Sequence, residues 1–380
     1  MMNRQHIATL ALAAMAAASC ATGTPEWMTC AGIARAMESA NDHWQSTHPD
    51  SGNAFWDNAV YHTGNIEACL VRPDTAWLGY STRWAERNRW MGATCPDTAL
   101  WQYRPYGEGP EFVLFGDWQV CFQTYLDLAL MRPDSIRTAR AFEVMQHEIA
   151  TPRTDYWWWA DALYMVMPVM SKMYLHTGNE LYISKMCQYM AHTDSVMYDA
   201  DACLYYRDAK YVYPQHATAS GAKDFWARGD GWVMAALAKV LADIPDDNPH
   251  RPQLLDRFTS MAAAVAACQQ PQGHWTRSML DPDHAPGFET SGTALFTFAL
   301  FRGINRGWLP RDRYLPVAVR GWDYLCHTAL QPDGRVGYVQ PIGERAIPGQ
   351  TVDAQSTANF GVGAFLLAAA EAYRFAEYEN

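Results

Sequence analysis

From about residue 29 onward, apolar side chains recur at steps of three and four, and almost no stretch alternates as a half-buried strand would. Val233, Ala236, Leu237, Val240 and Leu241 show the pattern, since these spacings put all five on one face of a helix. The periodicity predicts helices near 29–47, 57–70, 74–88, 118–131, 134–149, 156–177, 180–197, 230–244, 251–269, 291–306, 311–330 and 355–378. Short connections carry stop and start signals, such as Arg-Pro-Asp at 72–74 and 132–134 or Thr177-Gly178-Asn179. They alternate with long connections, 89–117, 198–229, 270–290 and 331–354, rich in Gly, Pro, Tyr and Trp. Structureless loops of this length inside a compact domain are usually functional. Helical hairpins set in a ring, with the long loops gathered at one end, satisfy this layout; the expected class is all-α, an (α/α)6 barrel. A helical solenoid is the alternative, but no repeat of roughly 34 or 40 residues supports it.

No Pro/Ser-rich linker divides the chain, so residues 20–48 read as an N-terminal segment with the first barrel helix, and 49–380 as the remainder of the same single domain. Residues 1–19 stand apart as a signal peptide. Arg4 precedes an apolar stretch from Ile7 to Ala18, too short to anchor in a bilayer, and the stretch ends Ala17-Ala18-Ser19-Cys20. Small residues before a Cys resemble a bacterial lipoprotein signal. The expectation is an exported protein, periplasmic or at the outer membrane of a Gram-negative cell, touching membrane only through a lipid on Cys20. An ordinary secretory signal is the other reading.

Net charge is −11, and no basic run is interleaved with aromatics, which argues against nucleic-acid partners. An anionic small substrate then needs local Arg or Lys partners. Aromatic residues make up 13%, including 16 Trp. Such an abundance suits either rings lining a sugar-binding cleft or a Trp-rich helical core. The cysteines after Cys20 show no zinc spacing, and most read as small buried apolar residues; the twelve His are scattered, and no metal or organic cofactor is expected.

Four segments carry chemistry. In Asp155-Tyr156-Trp157-Trp158-Trp159-Ala160-Asp161, Asp161 falls in the first turns of a helix among rings. The helix N-terminus favours its carboxylate and apolar surroundings favour the neutral acid; if burial wins, Asp161 becomes a general acid. Otherwise it only satisfies backbone N–H groups, although Asp155 fits that capping role better. In Phe225-Trp226-Ala227-Arg228-Gly229-Asp230-Gly231-Trp232, Arg228 between two Trp suits a carboxylate clamp, or else pairs structurally with Asp230. Asp117, in Phe115-Gly116-Asp117-Trp118, suits a second active-site carboxylate or a plain N-cap. The stretch Leu204-Tyr205-Tyr206-Arg207-Asp208 with Lys210, Tyr211 and His216 suits an anion-binding wall, though a lone loop His is more often a surface residue.

Together these segments, with Glu289-Thr290-Ser291-Gly292, Gly337-Tyr338-Val339-Gln340-Pro341-Ile342-Gly343 and Gly361-Val362-Gly363-Ala364-Phe365, resemble glycoside hydrolase family 105, the unsaturated rhamnogalacturonyl hydrolases. They resemble more distantly family 88, the unsaturated glucuronyl hydrolases. The resemblance spans roughly 50–378 and implies an (α/α)6 barrel that removes a 4,5-unsaturated uronic acid from the non-reducing end of lyase-generated oligosaccharides. It implies that Asp161 protonates the C4=C5 enol ether before water adds at C5, and that Asp117 assists. Trp56, Trp226, Arg228 and Trp232 then take substrate-binding places, beside Trp158, Arg207 and His216 as candidates from the residues themselves. Two departures leave the leaving sugar open: Trp118 stands where the family pattern has a second Asp, and Arg207 where some relatives have His. A standard inverting glycosidase, a polysaccharide lyase on the same barrel and a non-catalytic glycan-binding lipoprotein are the alternatives.

Overall fold

The computed structural model describes residues 24–379, so the signal segment and Cys20 lie outside the described residues. The helices are α1 (Cys30–Thr47), α2 (Trp56–Val71), α3 (Thr75–Arg87), α4 (Cys121–Met131), α5 (Ser135–Ala150), α6 (Asp161–Thr177), α7 (Leu181–Met197), α8 (Ala227–Asp243), α9 (Arg251–Ala267), α10 (Thr290–Asn305), α11 (Arg311–Tyr324) and α12 (Asn359–Glu379). Helix α2 packs on α4, α4 on α6, α6 on α8, α8 on α10, α10 on α12, and α12 back on α2. The even-numbered helices therefore close an inner ring, with α3, α5, α7, α9 and α11 each packed against the inner helix before it and α1 against α12. This is the (α/α)6 barrel.

Burial follows position in the ring. Every residue of α6 from Asp161 to Met173, of α8 from Ala227 to Leu241, of α10 from Thr290 to Gly303 and of α12 from Phe360 to Ala372 is buried. A helix apolar all round belongs inside two layers. The outer helices bury one stripe, as in α9 with Leu254, Phe258, Met261, Ala262 and Val265. The ring closes where α2 and α12 touch backbone to backbone: a Cβ on Gly64 would stand 2.1 Å from the Gly363 carbonyl oxygen. Only glycine permits that approach.

The inner helices run parallel in function if not in name: their N-terminal ends carry the candidate site, and their C-terminal halves carry buried charge. Glu67 (α2), Lys172 (α6), Arg302 (α10), Glu371 and Arg374 (α12) are joined in pairs there, with Asp127 (α4) on Lys172 and Lys239 (α8) close by. Burial alone would raise Glu67, but Arg302 and Arg374 hold it well below the usual carboxylate range. Burial pushes Lys239 down to about 8. The paired charges close that end of the barrel with groups that cannot be removed singly without leaving a partner buried and bare.

Four helix starts differ by three residues or more from those predicted. Residues 156–160 precede α6 instead of belonging to it, α4 begins at Cys121 after a 3-10 turn at Gly116–Trp118, α8 begins early, at Ala227, and α12 late, at Asn359. Isolated bridges, Trp159 to Asp208 and Trp226 to Ser278, hold the chain straight just before α6 and α8. A two-residue hairpin also forms, β1 (Tyr198–Asp199) with β2 (Leu204–Tyr205), too short to show in the apolar pattern. Most large rings go to the core; Trp84, Trp157, Trp159, Trp232, Trp275 and Trp322 are among its largest buried side chains. Contrary to expectation most of the eight described cysteines are only partly buried, with Cys69, Cys121 and Cys187 alone among them fully so; no described helix is long and apolar enough to cross a membrane.

The turn bearing Asp117 is fastened from below. Gln119 Nε2 donates to the Val113 carbonyl at 2.9 Å and to Glu148 Oε1 of α5 at 2.6 Å. Burial pushes Glu148 up to about 8. Because the folded value lies above the ordinary one, the stabilisation is complete at acid pH and is lost as pH rises through about 8. Glu148→Gln, which cannot ionise, should therefore unfold like the natural protein near pH 4. At pH 9 it should be more stable by about 1–3 kcal/mol. Denaturant melts at the two pH values check this; a gap that does not widen with pH contradicts it.

Candidate active site

Asp161 is the first residue of α6, and the extended Trp157-Trp158-Trp159 segment before it is what sets its surroundings. The Ala160 N–H donates to the Arg207 carbonyl at 2.7 Å, next to the Trp159–Asp208 bridge. That pairing brings Arg207 Nε to 3.6 Å from Asp161 Oδ2. Arg207 is fixed from its far side too, where Nη1 donates to Asp208 Oδ2 at 2.6 Å, and its guanidinium lies over the Trp158 ring. Trp158 Nε1 donates to the Tyr103 carbonyl at 3.0 Å.

Asp117 reaches the same cavity from the 3-10 turn before α4, and Trp56 from the first position of α2. The cavity has a volume of about 280 Å³ and is completed by Tyr106, Trp159 and the loop segment Ile342–Glu344. A second cavity of about 530 Å³, bounded by Arg104, Trp158 and Lys210, shares Tyr106, Arg207 and Glu344 with the first. Sequence reasoning thus brought together Asp117, Asp161, Trp56, Trp158 and Arg207.

Burial raises both carboxyls. For Asp161 the Arg207 and Arg228 charges pull the other way without overturning the rise. Asp117 is driven well above the usual carboxylate range, first by burial and then by the Asp161 charge. Burial has beaten the helix N-terminus at Asp161. Both carboxyls are pushed toward the neutral acid, Asp117 further than Asp161, because the arginines favour charge on Asp161.

Six residues lie elsewhere or act differently from expectation. Arg228 is fully buried between the Trp226 and Phe360 rings, and donates to the Gln340 carbonyl at 2.6 Å and the Pro341 carbonyl at 2.9 Å. Trp226 Nε1 donates to Gln340 Oε1 at 2.8 Å. Both residues therefore hold the loop that leads to Ile342–Glu344, and neither lines the cavities; burial pushes Arg228 down to about 10. Trp232 is a core ring against Tyr164. His216 faces Asp224, 2.9 Å away, and lines neither cavity. Asp155 caps no helix; it accepts from the Tyr103 hydroxyl at 2.8 Å and Arg104 at 3.0 Å. Asp230 is not paired with Arg228 but accepts from the Tyr205 N–H at 2.8 Å.

Tyr106, Trp159 and Glu344 were missed. Glu344 directly follows the Gly337–Gly343 motif, which is the signal that pointed to it; Tyr106 sits in a long loop with no local pattern of its own. Among the described residues no group of three His, Cys, Asp or Glu could hold a metal ion.

The chain is similar to known proteins along most of its length. A relative from Formosa agariphila, described as an unsaturated 3S-rhamnoglycuronyl hydrolase, is 31% identical over 345 residues, covering 88% of this chain and 89% of its own. A solved structure of a family 88 glycosyl hydrolase from Bacteroides vulgatus is 56% identical with a TM-score of 0.89, covering 91% of this chain and 99% of that one. Another, described as a polysaccharide lyase, is 57% identical with a TM-score of 0.89, covering 92% and 98%. The model of Glycosyl Hydrolase Family 88 matches residues 31–376. The chain belongs to glycosyl hydrolase family 88.

Proposed function

We propose that the enzyme removes a 4,5-unsaturated uronic acid from the non-reducing end of an oligosaccharide by hydrating the C4=C5 bond. The observation that carries this is the pair of buried carboxyls, Asp117 and Asp161, both raised, beside Arg207 in a cavity sized for one sugar ring. An inverting glycosidase needs one acid and one ionised base that activates water at the anomeric carbon. Here burial favours the protonated form at both positions, which suits delivery of a proton to carbon.

In this reading Asp161 gives its proton to C4, and positive charge develops at C5, where the ring oxygen shares it. Water adds at C5 and returns a proton to the Asp161 carboxylate. The hemiketal then opens, the C1–oxygen bond breaks, and the leaving sugar departs with its oxygen protonated. The net change is addition of one water. Arg207 faces the substrate carboxylate; that contact withdraws its support from the Asp161 anion and favours the protonated Asp161 that the first step needs. The N-terminal ends of the inner helices add positive potential at the anionic substrate.

The Formosa agariphila relative supports the unsaturated-uronyl half of this activity by its description. The leaving sugar is to be read from a panel of lyase-digested pectin, glycosaminoglycan, ulvan and gum oligosaccharides. At least one should lose the ultraviolet absorbance of its conjugated double bond; none doing so would remove the proposal. The relative described as a lyase favours the second reading, in which the same barrel makes that bond; intact polysaccharide would then gain the absorbance.

For location we propose a lipoprotein anchored at Cys20, on the Ala17-Ala18-Ser19-Cys20 sequence. Labelled palmitate should mark the natural protein in cells and not Cys20→Ser; label on both contradicts the anchor.

A further inference from the structure

The end of the barrel away from the site carries an apolar surface. Leu70 in the last turn of α2, Leu130 and Met131 at the end of α4, Ile136 at the start of α5, Leu175 in the last turn of α6 and Leu181 at the start of α7 are between 41% and 68% exposed. They sit at three hairpin turns, and α2, α4 and α6 are neighbours in the inner ring, so the side chains stand in one arc of the closed end. Single exposed apolar residues need no account, but a group gathered on one face marks a contact surface.

The chain enters the fold beside the same arc. Thr24 borders a groove of about 270 Å³ with Trp27, Leu315, Phe375 and Glu379. Phe375 and Glu379 lie in the last turns of α12, which packs against α2. Cys20 stands four positions before Thr24, a reach of about 14 Å at full stretch. We infer, given the anchor proposed at Cys20, that the closed end is a membrane-resting face. The arc from α12 to α6 sits on the phospholipid surface, and the active-site mouth points away from it.

Length and charge agree with this seating. Helix α12 runs from Asn359, beside Phe360 and the Trp56 ring, to Glu379, and its rise separates the two ends by about 30 Å. That is about three Debye lengths at physiological salt, so an acidic sugar at the mouth is screened from anionic headgroups. Charge on the resting face is mixed, with Arg132 beside Asp134 in one turn and Arg311 paired with Glu379 near the chain entry. Apolar contact with the interface therefore carries the seating, and attraction to anionic lipid adds little. The turn between α8 and α9 holds Asp243, Asp246 and Asp247, which keeps that side of the rim in water.

The test is hydrogen exchange of the natural lipidated protein on phosphatidylcholine vesicles, compared with Cys20→Ser free in buffer. Amides at 131–137 and 177–182 should exchange at least about fivefold more slowly on vesicles, while those at 98–106 and 341–346 stay unchanged. Protection of the second pair of segments in place of the first, or of neither pair, overturns the seating. Leu70→Ser, Ile136→Ser and Leu181→Ser combined change one exposed side chain at each turn; this variant should lose the protection with fold and turnover intact. Leu100→Ser with Leu280→Ser, exposed positions at the other end, should keep it, and identical behaviour of the two variants overturns the proposal. Slow exchange at the same turns without vesicles, growing with protein concentration, would mean that the face joins copies of the chain, and also overturns it. If the natural protein takes no palmitate and vesicles still protect the turns, the anchor fails and the face stands. If it takes the label and the turns stay unprotected, the face fails and the anchor stands.

Discussion

Asp161→Asn is expected to keep its fold and its affinity for substrate while losing about 10³-fold in turnover, the usual contribution of a positioned proton donor. The amide matches the carboxyl in shape, so the Ala160–Arg207 pairing that sets the pocket survives. It also removes the charge that helps raise Asp117. Whatever rate remains should therefore lose its alkaline limb at a lower pH than the natural enzyme, since an acid relieved of a like-charged neighbour ionises earlier. Single-turnover rates and substrate binding, measured separately, check this. A near-natural rate, or a loss confined to binding, would remove Asp161 from the chemistry.

Arg228→Ala is expected to do damage of another kind. The guanidinium is buried between two rings and satisfies the carbonyls of Gln340 and Pro341. Without it two buried acceptors lose their donors and the loop ending in Glu344 comes loose. Stability should drop by about 2–4 kcal/mol and KM should rise at least about tenfold. The rise should be similar for substrates with a free and an esterified uronate carboxylate. Lysine should not rescue, because one ammonium cannot span two carbonyls while stacked between rings. Thermal melts alongside kinetics decide it: an unchanged melt with a loss confined to free-acid substrates would mean that Arg228 touches the substrate carboxylate directly.

That contrast shows where sequence reasoning held and where it stopped. The ring of hairpins was legible because apolar period and loop length are local properties that the barrel preserves, as in α8 and α9. Asp161 was legible because burial could be inferred from the rings beside it. The start of α6 was not, because a bridge from Asp208, far along the chain, holds residues that would otherwise wind, and α8 begins before its apolar period does, at Ala227. Arg228 and Trp232 were placed in the site on motif alone; four residues apart on one buried helix, they face the Gln340 loop and the Tyr164 ring. Glu344 was overlooked because its partners, Arg207, Lys210 and Tyr211, come from a loop more than a hundred positions earlier.

The central claim is that water adds across C4=C5 instead of attacking the anomeric carbon. It is tested most directly by following one unsaturated disaccharide in heavy water, with absorbance and released sugar recorded together. The expected result is absorbance falling in step with the leaving sugar, and one deuterium at C4 delivered to a single face. Release of the leaving sugar with the absorbance intact would contradict it.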